Sequence, residues 1–207
     1  MAQSTDDLSL LEKEAQQRIL DALDCRQVAD FSSLAEAERR ISARFLDGLI
    51  AGSNGALCSP LRIRGADIAG PLRPPPTGQG ACQAVQFREC NFDAPVDLSA
   101  TEFLVLRFVD CQMPAFIGAS LRVRADLDLS GSRFSGVGDY ESELSRVGTC
   151  AIHLSNARVG GKLDLSSTES SRFCAAGTIR LDGAQVDGEV RIAGALLDGG
   201  GAAALSA

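Results

Sequence analysis

The sequence is poor in the side chains that most often build catalytic and metal-binding sites. Its 207 residues contain no tryptophan, one tyrosine and one histidine, His153. Any catalytic triad, metal centre or general base at neutral pH would need that imidazole, and no serine or cysteine nucleophile pattern accompanies it. The seven cysteines show no repeated C-x-x-C spacing, which argues against zinc and favours reduced thiols. We therefore expect a protein that is not an enzyme and that holds no cofactor or metal, with His153 on its surface.

Long apolar runs and an excess of basic residues are also missing. No segment approaches the roughly 20 apolar residues of a membrane-spanning helix, and the start MAQSTDDLSL lacks the plan of a signal peptide. These absences predict a cytoplasmic protein without a transmembrane segment. The net charge of -7, with no basic stripe, would repel a phosphate backbone, so we expect no direct binding of nucleic acid.

Glycine-rich stretches are present, but they do not match nucleotide-binding loops. The strings RVGGKL and GSNGA supply neither G-x-G-x-x-G nor G-x-x-x-x-G-K-[ST]. We interpret Gly160 and Gly161 instead as corners of the chain, where a missing side chain permits a tight turn.

Residues 1–55 predict an N-terminal cap of two amphipathic helices. The first covers residues 9–23, where Ser9 and Glu12 have the spacing of a capping box. The second begins at Ser33, with Glu36 three residues on, and ends at Gly52. Each helix has one apolar stripe that needs a covering surface, and the open end of a solenoid would supply it.

Residues 56–207 repeat one apolar template at intervals of 11 or 10 residues, as in IHLSNARV (152–159) and IRLDGAQV (179–186). Apolar residues two apart indicate strands, so each unit holds two very short strands, and two units, about 22 residues, make one turn. A unit this small must stack on copies of itself to bury its apolar face. The predicted fold is mostly β: a right-handed β-helix of about five to six coils with a small α-helical cap.

Stacking of the units predicts which side chains form the core and which face solvent. The expected inward ladder is Ile63, Phe87, Phe92, Phe108, Leu129, Leu154, Val159, Leu165, Leu181, Val186 and Ile192. One expected outward column is Arg62, Gln86, Arg107, Asp128, Asp164 and Arg191, and the other is Arg73, Asp97, Ile117, His153 and Arg180. Mixed neighbours in these columns favour a solvated exterior over a site. Cys90 and Cys111 occupy equivalent small-residue positions, so we expect them to stack as buried fillers.

Several five-residue strings in this region resemble the repeats of pentapeptide-repeat proteins, which place a small residue two before a central apolar one. They are ADIAG (66–70), CNFDA (90–94), ARVGG (157–161), AQVDG (184–188) and ALLDG (195–199). The wider layout, with RIRGADIAGPL, FRECNFDAPVDLS and LRVRADLDLSG after acidic helices, is similar to bacterial proteins labelled membrane-associated oxidoreductases. The resemblance implies a pentapeptide-repeat-like solenoid.

Three stretches break the period and predict flank loops: residues 73–84, 135–150 and 166–177. Loops are where solenoids usually carry recognition surfaces. The second predicts an interaction loop with Tyr140, Glu141, Glu143 and Arg146.

These features predict a non-catalytic scaffold that binds an unknown protein partner through flank loops or coil ends. The segment DGGGAAALSA after Leu197 predicts an uncapped C-terminal coil, through which a homo-oligomer would form. Two alternatives come from the resemblance: a DNA-mimic modulator or protector of a topoisomerase such as gyrase, and an accessory part of a membrane-associated oxidoreductase.

Overall fold

The computed structural model describes residues 10–52, 59–75, 84–136, 150–199 and 203–207. In these residues the chain forms a β-solenoid of about six turns that follows an N-terminal helix. Four parallel sheets, of seven, seven, five and four strands, make up the four sides of the coil, and each complete turn adds one short strand to each sheet. The predicted solenoid is therefore confirmed.

The strands of the four sheets follow one another in chain order. Sheet 1 contains Ala29–Asp30, Leu61–Arg64, Ala84–Arg88, Val105–Val109, Leu127–Asp128, Leu163–Asp164 and Val190–Arg191. Sheet 2 contains Arg40–Ser42, Asp67–Ala69, Asn91–Phe92, Gln112–Met113, Arg133–Phe134, Cys174–Ala176 and Leu196–Asp198. Sheet 3 contains Val96–Asp97, Phe116–Ile117, Cys150–His153, Thr178–Arg180 and Leu205–Ser206. Sheet 4 contains Glu102–Phe103, Arg122–Val123, Arg158–Val159 and Gln185–Val186.

The register of the strands confirms the predicted period. Val85 pairs with Leu106 and Leu106 with Leu127, a spacing of 21 residues, and Val96 pairs with Phe116, a spacing of 20, so an uninterrupted turn is 20 or 21 residues long. The register also confirms the alignment of both columns, but Asp164 and Ile117 are buried and do not face solvent as predicted. In sheet 1 the paired neighbours are Arg62, Gln86, Arg107, Asp128, Asp164 and Arg191. In sheet 3 they are Asp97, Ile117, His153 and Arg180, and Arg73 forms an ion pair with Asp97 at 2.9 Å.

The interior is aliphatic and aromatic, as the alternating pattern predicts. Of the inward ladder, the buried members are Ile63, Phe87, Phe92, Phe108, Leu129, Leu154, Val159 and Leu165. Phe87 stacks on Phe108 across adjacent turns with ring centroids 5.1 Å apart. The exceptions lie near the last described turn, which no further turn of the described chain covers: Leu181 and Val186 are only partly buried, and Ile192 is 40% exposed.

The first helix confirms its predicted position, whereas the second does not. Helix α1, Leu10–Asp24, buries Ala15, Ile19 and Leu23 and contacts the first strands of sheets 1 and 2. It therefore covers the N-terminal end of the coil. Ser9, the expected capping residue, lies outside the described residues.

The second helix, α2, covers only Ala43–Ile50, so its predicted start at Ser33 is wrong. The intervening residues form a 3-10 turn, Glu36–Glu38, and the strand Arg40–Ser42. This strand pairs with Asp67–Ala69, which buries Ile41 to 1% exposure and satisfies backbone groups that a helix would have satisfied internally. The sheets thus extend into the residues that we assigned to the cap.

Three of the four corners of a turn contain residues in the left-handed backbone conformation, and between sheets 2 and 3 these are Gly70, Gly136 and Gly177. Between sheets 1 and 2 the positive φ angles fall at Gly65, Glu89, Asp110 and Gly131, and between sheets 3 and 4 at Ala100, Ser120, Asn156 and Gly183. The recurrence of this conformation at equivalent positions shows that the corners are specified by backbone geometry.

The third predicted loop is shorter than expected. Residues 166–173 leave the strands, but Cys174–Ala176 returns to sheet 2 and pairs with Arg133–Phe134 and with Leu196–Asp198. Phe173 is fully buried and packs on Phe134 with ring centroids 5.6 Å apart, which holds the start of this strand. Most of the other two loops, residues 76–83 and 137–149, lies outside the described residues.

Candidate functional site

The open end of the last described turn carries a group of exposed apolar side chains. Its large apolar side chains with the greatest exposure are Val190 (43%), Ile192 (40%), Leu196 (53%) and Leu205 (41%). Residues Leu181, Val186 and Leu197 are only partly buried against the core. The opposite end is closed by α1, so the two ends of the coil are not equivalent.

The described residues also leave backbone groups of the last strands without a strand partner. Each sheet has an outermost strand here: Gln185–Val186, Val190–Arg191, Leu196–Asp198 and Leu205–Ser206. Among the described residues, each of these strands has a sheet neighbour on one side only. Apolar side chains beside unpaired strand edges form a surface that another polypeptide can cover.

His153 lies on sheet 3 and makes one hydrogen bond, between its Nε2 and Ser155 Oγ, at 2.8 Å. Burial lowers the pKa of the imidazole, and the nearby Arg180 lowers it further. Its Nδ1 is buried and has no hydrogen-bond partner within the described part of the chain. A catalytic dyad would need a carboxylate or carbonyl at Nδ1 to orient the ring, and these residues supply none.

The contact between His153 and Ser155 is explained by a recurrent corner. Four aspartates at the ends of strands bind the residue two positions on. In sheet 1, Asp30 accepts from Ser32 N at 2.9 Å, Asp128 from Ser130 N at 3.0 Å and Asp164 from Ser166 N at 3.1 Å. In sheet 3, Asp97, which lies in the same column as His153, accepts from Ser99 N at 3.1 Å. The string I-H-L-S at 152–155 replaces L-D-L-S at 127–130 and 163–166. The pairing of His153 with Ser155 is thus the geometry of a turn. Sequence reasoning missed the motif, although the repeated D-x-S would have revealed it.

The two stacked cysteines are buried, as expected. Cys90 and Cys111 are fully buried free thiols in one column of small residues. Their sulfur atoms contact backbone carbonyls, Cys90 Sγ with Arg88 O at 3.2 Å and Cys111 Sγ with Val109 O at 3.4 Å. Burial, and then the proximity of Cys90, raises the pKa of the Cys111 thiol. A raised pKa disfavours the reactive thiolate, which supports the interpretation as core fillers.

Gly160 and Gly161 lie at a corner, but the reason for glycine differs from the one we predicted. Neither residue has a positive φ. A Cβ on Gly160 would meet the backbone of Arg124, and one on Gly161 would lie 2.4 Å from Asp126 Oδ1. Close approach between turns, and not turn conformation, excludes a side chain here.

Tyr140, Glu141, Glu143 and Arg146 lie outside the described residues. No group of three or more histidine, cysteine, aspartate or glutamate side chains in the described ranges could hold a metal ion. None of the described helices is long and apolar enough to cross a bilayer.

The fold defines the class of the protein as a β-solenoid. No protein-family model, curated protein or solved structure matches the chain. Membership of the pentapeptide-repeat family therefore stays a prediction.

Proposed function

We propose that the chain is a non-catalytic scaffold that binds another protein through the open end of its last turn. The observation that carries this proposal is the exposure of Val190, Ile192, Leu196 and Leu205 beside unpaired strand edges. A second copy of the chain is the occupant we propose, because an identical end presents the same apolar side chains and the same free backbone groups.

The experiment is light scattering coupled to size-exclusion chromatography over a concentration series. We expect the wild-type chain to self-associate, and the double variant Leu196→Lys and Leu205→Lys to remain monomeric. The matched control is Leu104→Lys, because Leu104 is 44% exposed but lies in the middle of the solenoid. If the wild-type chain stays monomeric at high concentration, a second copy does not bind at this end. A pull-down from the source cell then tests for a different protein at the same end.

The DNA-mimic alternative receives less support from the surface. Such mimicry needs a long, strongly negative face, whereas the outward column of sheet 1 includes Arg62, Arg107 and Arg191. A supercoiling assay with gyrase, with and without a quinolone, tests it directly. A flavin or nicotinamide cofactor that co-purifies with the chain would favour the oxidoreductase alternative.

A further inference from the structure

The first strand of sheet 1 has a free edge at the N-terminal end of the coil. Ala29–Asp30 pairs with Leu61–Arg64 on one side and, among the described residues, has no strand on the other. Phe31 N donates to Arg64 O at 2.8 Å, so the backbone of residues 29 and 31 faces this neighbour. Successive residues of a strand direct their backbone groups to opposite edges, so the backbone of Val28 faces the free edge. Its N–H and C=O form no hydrogen bond within the described part of the chain.

Helix α1 lies opposite this edge. The chain reverses at Arg26, which has a φ of 56° at the end of the helix, and Gln27 N donates to Ala22 O at 2.8 Å. The helix buries one stripe against the coil, which consists of Ala15, Ile19 and Leu23. The adjoining stripe is exposed and consists of Glu14, Gln17, Arg18 and Asp21, spaced at helical intervals.

A groove of about 570 Å³ lies between α1 and the free edge, and we call it the edge groove. One wall is the exposed stripe of α1 together with Cys25, and the other is residues 27–30. Val28, which lines it, is 48% exposed. Ligand-binding clefts typically measure roughly 300 to 1,000 Å³. At an exposed sheet edge an extended peptide can add a strand, with main-chain hydrogen bonds for affinity and side-chain contacts for specificity.

The α1 wall carries carboxylates that have no ion-pair partner among the described residues. Glu14 forms no ion pair there, and Asp21 Oδ1 accepts a hydrogen bond from the neutral amide Nε2 of Gln17 at 2.8 Å. Arg18 lies between them along the helix but forms no ion pair in this part of the chain, and its guanidinium carbon is 5.8 Å from the ring centroid of Phe31. The wall therefore favours a cationic side chain.

The other wall of the edge groove supplies backbone groups and little free charge. Asp30 is already engaged, since its Oδ1 accepts from Ser32 N and Ser32 Oγ and its Oδ2 lies 3.8 Å from Arg64. The groups that remain on this side are the backbone N–H and C=O of the free edge and the exposed side chain of Val28. The edge groove thus offers strand hydrogen bonds on one side and carboxylates on the other.

We propose that the edge groove binds an extended peptide segment of a partner protein, which adds a strand to Ala29–Asp30 and places a lysine or arginine side chain against Glu14 and Asp21. A second copy of this chain is a poorer occupant, because Arg191, in the last strand of sheet 1, is bound to Glu189 at 2.8 Å. The site lies at the opposite end of the coil from the open last turn. It goes beyond the proposed self-association and does not depend on it.

Fluorescence anisotropy on the full chain tests the charge of the occupant. The probe is a labelled peptide V-K-V-K-V, and the control peptide V-E-V-E-V keeps the valines and reverses the charge. We expect the probe to bind at least about fivefold more tightly than the control peptide, with affinity falling as salt rises. Equal affinity for the two peptides overturns the proposal.

Methylation of the probe's backbone tests the strand addition. One form of the probe carries N-methyl groups on both lysines, and the other carries them on the second and third valines. An added strand uses alternate amides only, so one form should lose about tenfold or more in affinity and the other should change less than about threefold. If both forms lose affinity equally, or neither does, the peptide does not add a strand and the proposal is wrong.

The double variant Glu14→Gln and Asp21→Asn should weaken binding of the probe about fivefold or more. The matched control is Glu169→Gln with Asp187→Asn, which removes the same two charges from exposed positions on later turns. We expect this control to change the affinity less than about twofold. An equal loss in both double variants would show a non-specific charge effect and overturn the site. Circular dichroism of each variant confirms that α1 and the coil are retained.

Light scattering separates a failure at the edge groove from a failure at the open end. The Leu196→Lys and Leu205→Lys variant should bind the probe with wild-type affinity, because its substitutions lie at the other end of the coil. If the wild-type chain binds no peptide and Glu14→Gln with Asp21→Asn abolishes self-association, the occupant of the edge groove is a second copy and the proposal is wrong.

Discussion

A Cβ on Gly160 would lie 2.3 Å from the carbonyl oxygen of Arg124, which faces it from the preceding turn. The obstacle is backbone, so it cannot be relieved by a side-chain rotation. We expect Gly160→Ala to lower the free energy of unfolding by about 2 to 3 kcal/mol, because the two turns must separate. Urea unfolding followed by circular dichroism measures the change.

The control for this substitution is Gly48→Ala in α2, where a Cβ would meet nothing within 4 Å. Alanine favours the helix interior, so this variant should gain about 0.5 to 1 kcal/mol. If Gly160→Ala proved as stable as wild type, the close approach between turns would not be a constraint.

Ala100 occupies a left-handed corner with a φ of 55° and no side-chain group that could compensate for the strain. Asn156 and Gly183, at the equivalent corner of later turns, are residue types that adopt this conformation readily. Ala100→Gly should raise the free energy of unfolding by about 0.5 kcal/mol, since the relieved strain exceeds the added entropy of the unfolded chain. Ala119→Gly, at a neighbouring position without a positive φ, should instead lower it by about 0.5 to 1 kcal/mol.

Asp47 in α2 accepts a hydrogen bond from the backbone N–H of Arg73 at 2.8 Å. Burial raises the pKa of its carboxyl from 3.8 to about 6, and this hydrogen bond only partly opposes the shift. Because the folded pKa is the higher one, the associated stability is present below pH 3.8 and is lost as the pH rises through about 6.

Asp47→Asn keeps an oxygen acceptor for Arg73 and removes the charge. At pH 7.5 the variant should be about 1 kcal/mol more stable than wild type, a value discounted for partial solvent screening. At pH 4 the two proteins should have nearly equal midpoints of thermal unfolding. A variant that is less stable at both pH values would show that the hydrogen bond, and not the charge, dominates.

His153 has the opposite dependence on pH. Burial lowers the pKa of its imidazole below 6.5, so the unfolded chain takes up the proton first. Its contribution to stability is full above pH 6.5 and is lost as the pH falls through the folded pKa.

Since Asp47 titrates in an overlapping range with the opposite sign, the test uses the Asp47→Asn background. Between pH 7 and pH 5.5, a chain with His153 should lose about 0.5 kcal/mol more stability than one with His153→Val. Urea unfolding at both pH values gives the difference. Parallel pH profiles for the two chains would exclude burial of the imidazole.

Cys90 and Cys111 should resist thiol reagents in the native protein, because both are fully buried and burial raises the pKa of Cys111. Cys25 is exposed and should react before Cys90 and Cys111. Peptide mapping by mass spectrometry after brief alkylation distinguishes the sites. Labelling of Cys90 or Cys111 at the rate of Cys25 would overturn their role as core fillers.

Much of the coil could be predicted because the regular spacing of apolar residues shows its repeat. Register follows from that spacing, since stacking Leu106 on Val85 and Leu127 aligns every outward residue between them. The second helix could not be predicted in the same way. Its expected N-terminal half has good helical periodicity. In the fold, however, Ile41 pairs with Ile68 in sheet 2 and is buried there, and this tertiary contact overrides the helical preference.

The candidate sites depended on contacts that the sequence does not display. Arg62, Gln86 and Arg107 are far apart along the chain and become neighbours in sheet 1, and the ion pairs of Arg64 with Glu89 and Asp30 likewise join residues of different turns. The role of His153 could not be predicted from the sequence, because its hydrogen bond with Ser155 depends on the geometry of the corner in which both residues lie.

The sequence by itself determined the solenoid, its turn of about two units and the inward ladder, because a period-two pattern repeated every 11 residues has one way to bury its apolar side. Only the tertiary structure decided where the second helix begins and why Gly160 must be glycine. These features depend on distances between turns, and such distances are set by how the copies stack and not by any one copy.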